Sequence, residues 1–97
     1  MSPNLRQIVA DNRALFWSVS DTALDRITLE EVVETVLNYG DRKATKLLIE
    51  ALGIKVVSRI FFKQTGSLRN NYFPMVNHYF DLYFKSHVPE YTQSPAN

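Results

Sequence analysis

Histidines and carboxylates could bind a metal or act as catalytic acids and bases, but their spacing in this sequence matches no known metal-binding or catalytic motif. His78 and His87 lie nine residues apart, and neither belongs to an H-E-x-x-H pattern. His78 and Asp81, three residues apart, fit a hydrogen bond on a helix surface better than a metal site. No G-x-S-x-G segment positions a serine nucleophile. The sequence therefore predicts no metal, no cofactor and no enzymatic activity.

The acidic residues and glycines are explained by helix ends. Three acids fall in the first turns of one predicted helix, where the helix dipole favours negative charge: Glu30, Glu31 and Glu34. Three glycines, spaced thirteen residues apart, are expected to end helices rather than to cradle a phosphate: Gly40, Gly53 and Gly66. We expect Gly40 to adopt the left-handed conformation that commonly ends a helix.

Basic residues form the one pattern that predicts a ligand. Residues 42–69 carry seven bases and one acid, whereas residues 1–41 carry three bases and seven acids. Lys55, Arg59 and Lys63 recur at i, i+4 and i+8, on one face of a predicted helix. We expect them to bind DNA together with Ser58 and Arg69, with Lys55 and Ser58 approaching base edges and Lys63 and Arg69 meeting phosphates. The alternative is a solvated helix face or an attraction between the two halves of the fold.

The last predicted helix favours a second function, a protein–protein interface. Apolar and aromatic side chains surround almost all of residues 72–84, which is more than three short helices can cover. We therefore expect part of it to form a homodimer interface or to bind another protein. The residues assigned to that interface are Tyr72, Met75, Val76, Tyr79 and Tyr83.

Composition places the chain among small single-domain proteins. It has 97 residues, of which 45% are hydrophobic, and no cysteine, so it forms neither a disulfide nor a thiolate metal site. No apolar run approaches the roughly 20 residues of a membrane-spanning helix. The first twelve residues lack the basic and apolar regions of a secretory signal. We expect a cytoplasmic protein that does not associate with membranes.

Periodic apolar residues predict an all-α fold, a compact bundle of four to five short helices. Thr28 and Glu31 form a capping box before the first stripe, Asp41 can cap the next helix, and Gly53 separates that helix from a third. The second and third of these helices resemble a helix-turn-helix pair. Leu15, Phe16 and Trp17 are expected to close one end of the core. We divide the chain into an N-terminal arm or short helix (1–14), a helical domain (15–86) and a mobile C-terminal tail (87–97).

Several short motifs between residues 15 and 73 resemble those of a prokaryotic all-helical family. They are Leu15-Phe16-Trp17, Leu24-Asp25, Val33, the run from Val36 to Asp41, Leu47-Leu48 and Leu52-Gly53. The family's pattern is L-F-W-D followed by V-L-x-Y-G-D, and its members are classed as domains of unknown function. Some are encoded beside nucleotidyltransferase toxins of the abortive-infection type. The resemblance thus implies a regulator or antitoxin-like module with a toxin as partner.

Overall fold

The computed structural model describes residues 3–17, 19–24, 26–68 and 70–88, and these are helical with no strand among them. They form six α-helices and one 3₁₀ helix: α1 (Pro3–Asp11), the 3₁₀ helix (Arg13–Phe16), α2 (Asp21–Leu24), α3 (Leu29–Tyr39), α4 (Arg42–Leu52), α5 (Ile54–Thr65) and α6 (Pro74–His87). The all-α prediction is confirmed.

Helices α3 and α4 begin at the capping residues that were predicted from the sequence, Thr28 and Asp41. Thr28 accepts the backbone N–H of Glu31 at 3.1 Å, and the Glu31 carboxylate accepts the backbone N–H of Thr28 at 3.4 Å, which completes the capping box. Asp41 accepts the N–H of Ala44 at 2.8 Å. These bonds satisfy N–H groups that have no partner inside their own helix.

Two of the helix ends use glycine for different reasons. Gly53 alone joins α4 to α5, and its φ of 88° is the positive value that favours glycine. Gly40 is instead extended, with φ −78° and ψ 160°, so the predicted left-handed conformation is wrong. A Cβ at Gly40 would lie 2.5 Å from the Val36 carbonyl oxygen, and this close approach accounts for glycine there. The one-residue link at Gly53 is shorter than the three- or four-residue turn of a helix-turn-helix motif.

The core is formed by the inner faces of α1, α3, α4, α5 and α6. Its fully buried centre contains three valines of α3, Leu48 of α4, two residues of α5 and Phe84 of α6: Val32, Val33, Val36, Leu48, Val57, Phe61 and Phe84. The N-terminal residues take the predicted short-helix form, and α1 packs on α4 through Leu5, Ile8 and Val9. This helix is therefore part of the bundle, although the predicted helical domain began only at residue 15.

Both ends of the predicted helical domain need adjustment. Phe16 is fully buried as expected, but Trp17 is 77% exposed and does not close the core. Pro74 opens α6, as allowed for the first turn, while Asn71 lies in the preceding connection. Helix α6 continues through His87, and Val88 is buried, so the predicted tail begins too early. The remainder of that segment, 89–97, lies outside the described residues.

The left-handed glycine gives a stability prediction. Gly53→Ala should lower the free energy of unfolding by about 1–3 kcal/mol, because an alanine is strained at this φ. Crowding is not the cause, since no described atom lies within 4 Å of the added Cβ. Gly66→Ala is the comparison for backbone strain: its φ of −83° suits any residue, and although the added Cβ would lie 3.2 Å from the Phe62 carbonyl oxygen, its loss should be smaller than that of Gly53→Ala. Urea denaturation followed by circular dichroism measures both, and equal losses would contradict the assignment.

Candidate functional site

Helix α5 presents three cations to solvent. Lys55, Arg59 and Lys63 are all exposed, and we call them the basic stripe. Ser58 does not accompany them: it is fully buried, and its hydroxyl donates to the Lys55 carbonyl at 3.1 Å. A side chain in that position cannot reach a base edge, so the role predicted for Ser58 is wrong. Arg69, the fifth residue of the predicted DNA-binding set, lies outside the described residues.

Acidic residues border one end of the basic stripe. The Gln64 side chain donates to the Glu30 carbonyl at 2.9 Å, which holds the end of α5 beside the start of α3. The first turn of α3 carries Glu30 and Glu31, both exposed. Their charge lowers the positive potential around Lys63, at the end of the stripe nearest to α3.

Helix α6 carries a second, apolar surface. Met75, Tyr79 and Leu82 are 85%, 56% and 54% exposed, and we call them the outer face of α6. Their spacing of i, i+4 and i+7 places them on one side of the helix. Phe73 and Tyr39, each about half exposed, pack edge to face with ring centroids 5.4 Å apart. They add a further exposed aromatic pair where the chain enters α6.

The residues predicted for a partner interface separate into three groups. Met75 and Tyr79 are exposed, while Val76 and Tyr83 are half-buried against the core. Tyr72 is buried within its own chain, so its assignment to a partner interface is wrong. Leu82 belongs to the outer face but was absent from the prediction. The signal that could have identified it is its i+7 spacing from Met75.

Tyr72 is held by one hydrogen bond and one ring contact. Its hydroxyl donates to the side-chain oxygen of Gln64, and its ring lies against Phe61 with centroids 4.9 Å apart. Burial raises the pKa of Tyr72 far above its ordinary value, and the Glu34 carboxylate raises it further. The phenol therefore stays neutral and acts as a structural hydrogen-bond donor.

Two charged residues of α6 form an ion pair on the helix surface. Asp81 accepts an ion pair from Lys85 at 3.1 Å, one turn further along the helix. Among the described residues no group of three or more metal-binding side chains comes together, and His78 is exposed on the helix surface.

No protein family, curated protein or solved structure matches this chain. In the part of the chain that the structure describes, no helix has the length and apolar character needed to cross a membrane.

The buried phenol predicts a loss of stability at high pH. In the unfolded chain Tyr72 ionises near its ordinary pKa of about 10, whereas the folded chain retains the proton to higher pH. The free energy of unfolding should therefore fall as pH rises above about 10. Tyr72→Phe should reduce this fall, although losing the Gln64 bond costs about 1 kcal/mol at neutral pH. Urea denaturation at pH 9 and pH 11 provides the comparison.

Tyr39→Phe is the matched control for this experiment. Tyr39 is half exposed, so its substitution should leave the alkaline fall as large as in the unmodified protein. A Tyr72→Phe variant that destabilises with pH as steeply as the unmodified protein would show that another group is responsible.

Proposed function

We propose that this protein is an interaction module that forms a homodimer through the outer face of α6. The observation that supports the proposal is the exposure of three large apolar side chains, Met75, Tyr79 and Leu82, on one side of one helix. Burying apolar surface contributes about 25 cal/mol per Å², and contiguous exposed patches of this kind mark binding surfaces. Tyrosine suits such a surface because its ring can be buried while its hydroxyl remains in water.

A second copy of the chain fits this face better than a strongly charged partner does. In a two-fold interface the same patch meets itself, so any net charge would repel its own copy. The ionic residues beside the face, Asp81 and Lys85, already neutralise each other at 3.1 Å. An antiparallel pair of α6 helices would bring Met75 of one copy to Leu82 of the other, with the two Tyr79 rings near the axis.

The dimer predicts a clear response to charge on the outer face. The unmodified protein should sediment as a dimer at micromolar concentration, and Leu82→Glu should shift it to a monomer because each new carboxylate would be buried without a partner against Met75 of the other copy. Analytical ultracentrifugation measures the difference.

Leu68→Glu is the matched control for the dimer. Leu68 is fully exposed outside α6, so the same substitution there should leave the dimer intact. An unmodified protein that remains monomeric at about 100 μM would refute the homodimer. In that case the partner of the outer face would be a different protein, and the family resemblance suggests that this partner is a toxin.

Nucleic-acid binding by the basic stripe is the second proposed function. The observation that favours it is that three cations of α5 point to solvent, and that Arg59 makes no ion pair with any described residue. A dimer would present two such stripes, the arrangement used by regulators that read two-fold symmetric sites. Exposed cations bind phosphates largely through electrostatics, without requiring base contacts.

Charge reversal in the stripe tests this second function. Arg59→Glu should weaken binding to a random DNA duplex by about tenfold at low salt, because a phosphate contact becomes a repulsion. Fluorescence anisotropy of a labelled duplex gives the affinity. Arg6→Glu, an equal change on the exposed surface of α1, should have a much smaller effect. Absence of binding at low salt, or equal effects of the two variants, would rule the stripe out.

A further inference from the structure

A cleft lies between α4 and α6, away from the basic stripe of α5. Its volume is about 590 Å³, within the range of about 300–1,000 Å³ typical of small-molecule sites. Leu37, Ile49 and Phe80 give it an apolar lining. The cleft exists because α6 packs mainly on α5, so that α4 and α6 diverge beside it.

One wall of the cleft is aromatic. Tyr79 and Tyr83, four residues apart on α6, both line it, and their rings are stacked with centroids 6.1 Å apart and planes 17° apart. Neither hydroxyl makes a hydrogen bond to any residue that the structure describes. Tyr83 is also stacked on His87, with ring centroids 4.2 Å apart, so this wall offers chiefly ring edges and the Tyr79 ring to a flat aromatic group.

The opposite wall carries two cations without an ion-pair partner among the described residues. Arg42 and Lys46 line the cleft from positions i and i+4 of α4, and neither is ion-paired within the described ranges. Two carboxylates also line the cleft, but Asp41 is engaged as the cap of α4 through the N–H of Ala44. Glu50 lies one turn beyond Lys46, so the two cations lie between a carboxylate at each end of the wall. The helix dipole adds to the positive potential at the start of α4.

We propose that this cleft binds a small aromatic anion. The flat ring would lie against Tyr79 and Tyr83, and its phosphate, sulfonate or carboxylate would be bound by Arg42 and Lys46. This arrangement gives the Arg42 and Lys46 side chains an anionic partner, while the apolar lining excludes water from the ring. The proposal does not depend on DNA binding or on dimer formation, since it requires neither the basic stripe nor Leu82.

Titration with 1-naphthyl phosphate, followed by amide chemical shifts in NMR, tests the proposal. Inorganic phosphate and 1-naphthol, each carrying one half of the probe, should bind at least about tenfold more weakly than the probe itself. The shifts should concentrate in α4 and α6. Equal binding of phosphate alone or of naphthol alone would overturn the proposal, as would shifts centred on α5.

A pair of neighbouring lysines supplies the control. Lys46→Glu should weaken 1-naphthyl phosphate binding by about tenfold or more, because it replaces a charge-assisted contact with a repulsion. Lys43→Glu makes the same charge change on the same helix, but Lys43 is exposed and does not line the cleft, so its effect should stay within about twofold. Equal weakening by the two variants would indicate nonspecific attraction and refute the site.

The same titration in a Leu82→Glu background separates this proposal from the homodimer. Tyr79 lies both on the outer face of α6 and in the cleft, so self-association could restrict access to the ring. Binding in the Leu82→Glu monomer supports the cleft whatever the unmodified protein's oligomeric state. A Leu82→Glu protein that folds but does not bind the probe would reject the cleft even if the dimer is correct.

Discussion

The Phe61 ring is the contact on which the arrangement of α6 depends. It is fully buried in α5 and lies within 4.9–6.2 Å, centroid to centroid, of the rings of Tyr72, Phe80 and Phe84. Phe80 and Phe84 lie at i and i+4, so they occupy one side of α6. At about 100° per residue, Met75, Tyr79 and Leu82 point away from that side. Packing one face of α6 on Phe61 therefore exposes the other face.

Side-chain amides determine where α6 begins. The Asn38 amide donates to the Asn71 carbonyl at 3.0 Å, and its oxygen accepts the N–H of Phe73 at 3.1 Å. Asn71 in turn donates to the Glu34 carboxylate at 3.4 Å. Because all three contacts tie the connection to α3, they fix the start of α6 relative to the rest of the bundle. The cleft beside α4 and the outer face of α6 follow from that placement.

Local signals in the sequence were sufficient to predict where the helices begin and end, but not which side chains they bury against one another. Thr28, Glu31, Asp41 and Gly53 specify helix ends through bonds to residues within four positions, so the sequence predicts α3, α4 and α5 well. Gly40 is different because its role comes from a close approach to Val36 rather than from its backbone angles. The spacing of glycines along the chain does not distinguish these two causes.

Burial of polar residues was the main feature that sequence reasoning missed. Ser58 is buried because its hydroxyl finds the carbonyl of Lys55 within the same helix, which removes the cost of leaving water. Tyr72 is buried because Gln64, eight residues away in sequence, accepts its hydroxyl. Both residues appear suitable for surface recognition when only their type and spacing are considered. Their actual environments depend on neighbours that periodicity does not specify.

Helix α6 is half covered because the described bundle packs against only one of its faces. A domain of about a hundred residues buries only some two thirds of the surface that its unfolded chain exposes. Helix α6 packs chiefly on α5, and enclosing Met75, Tyr79 and Leu82 would require a further helix that the described bundle does not supply. A second copy of α6 would provide that missing layer without lengthening the chain. The packing of α6 chiefly on α5 therefore both exposes the outer face and makes it suitable for association.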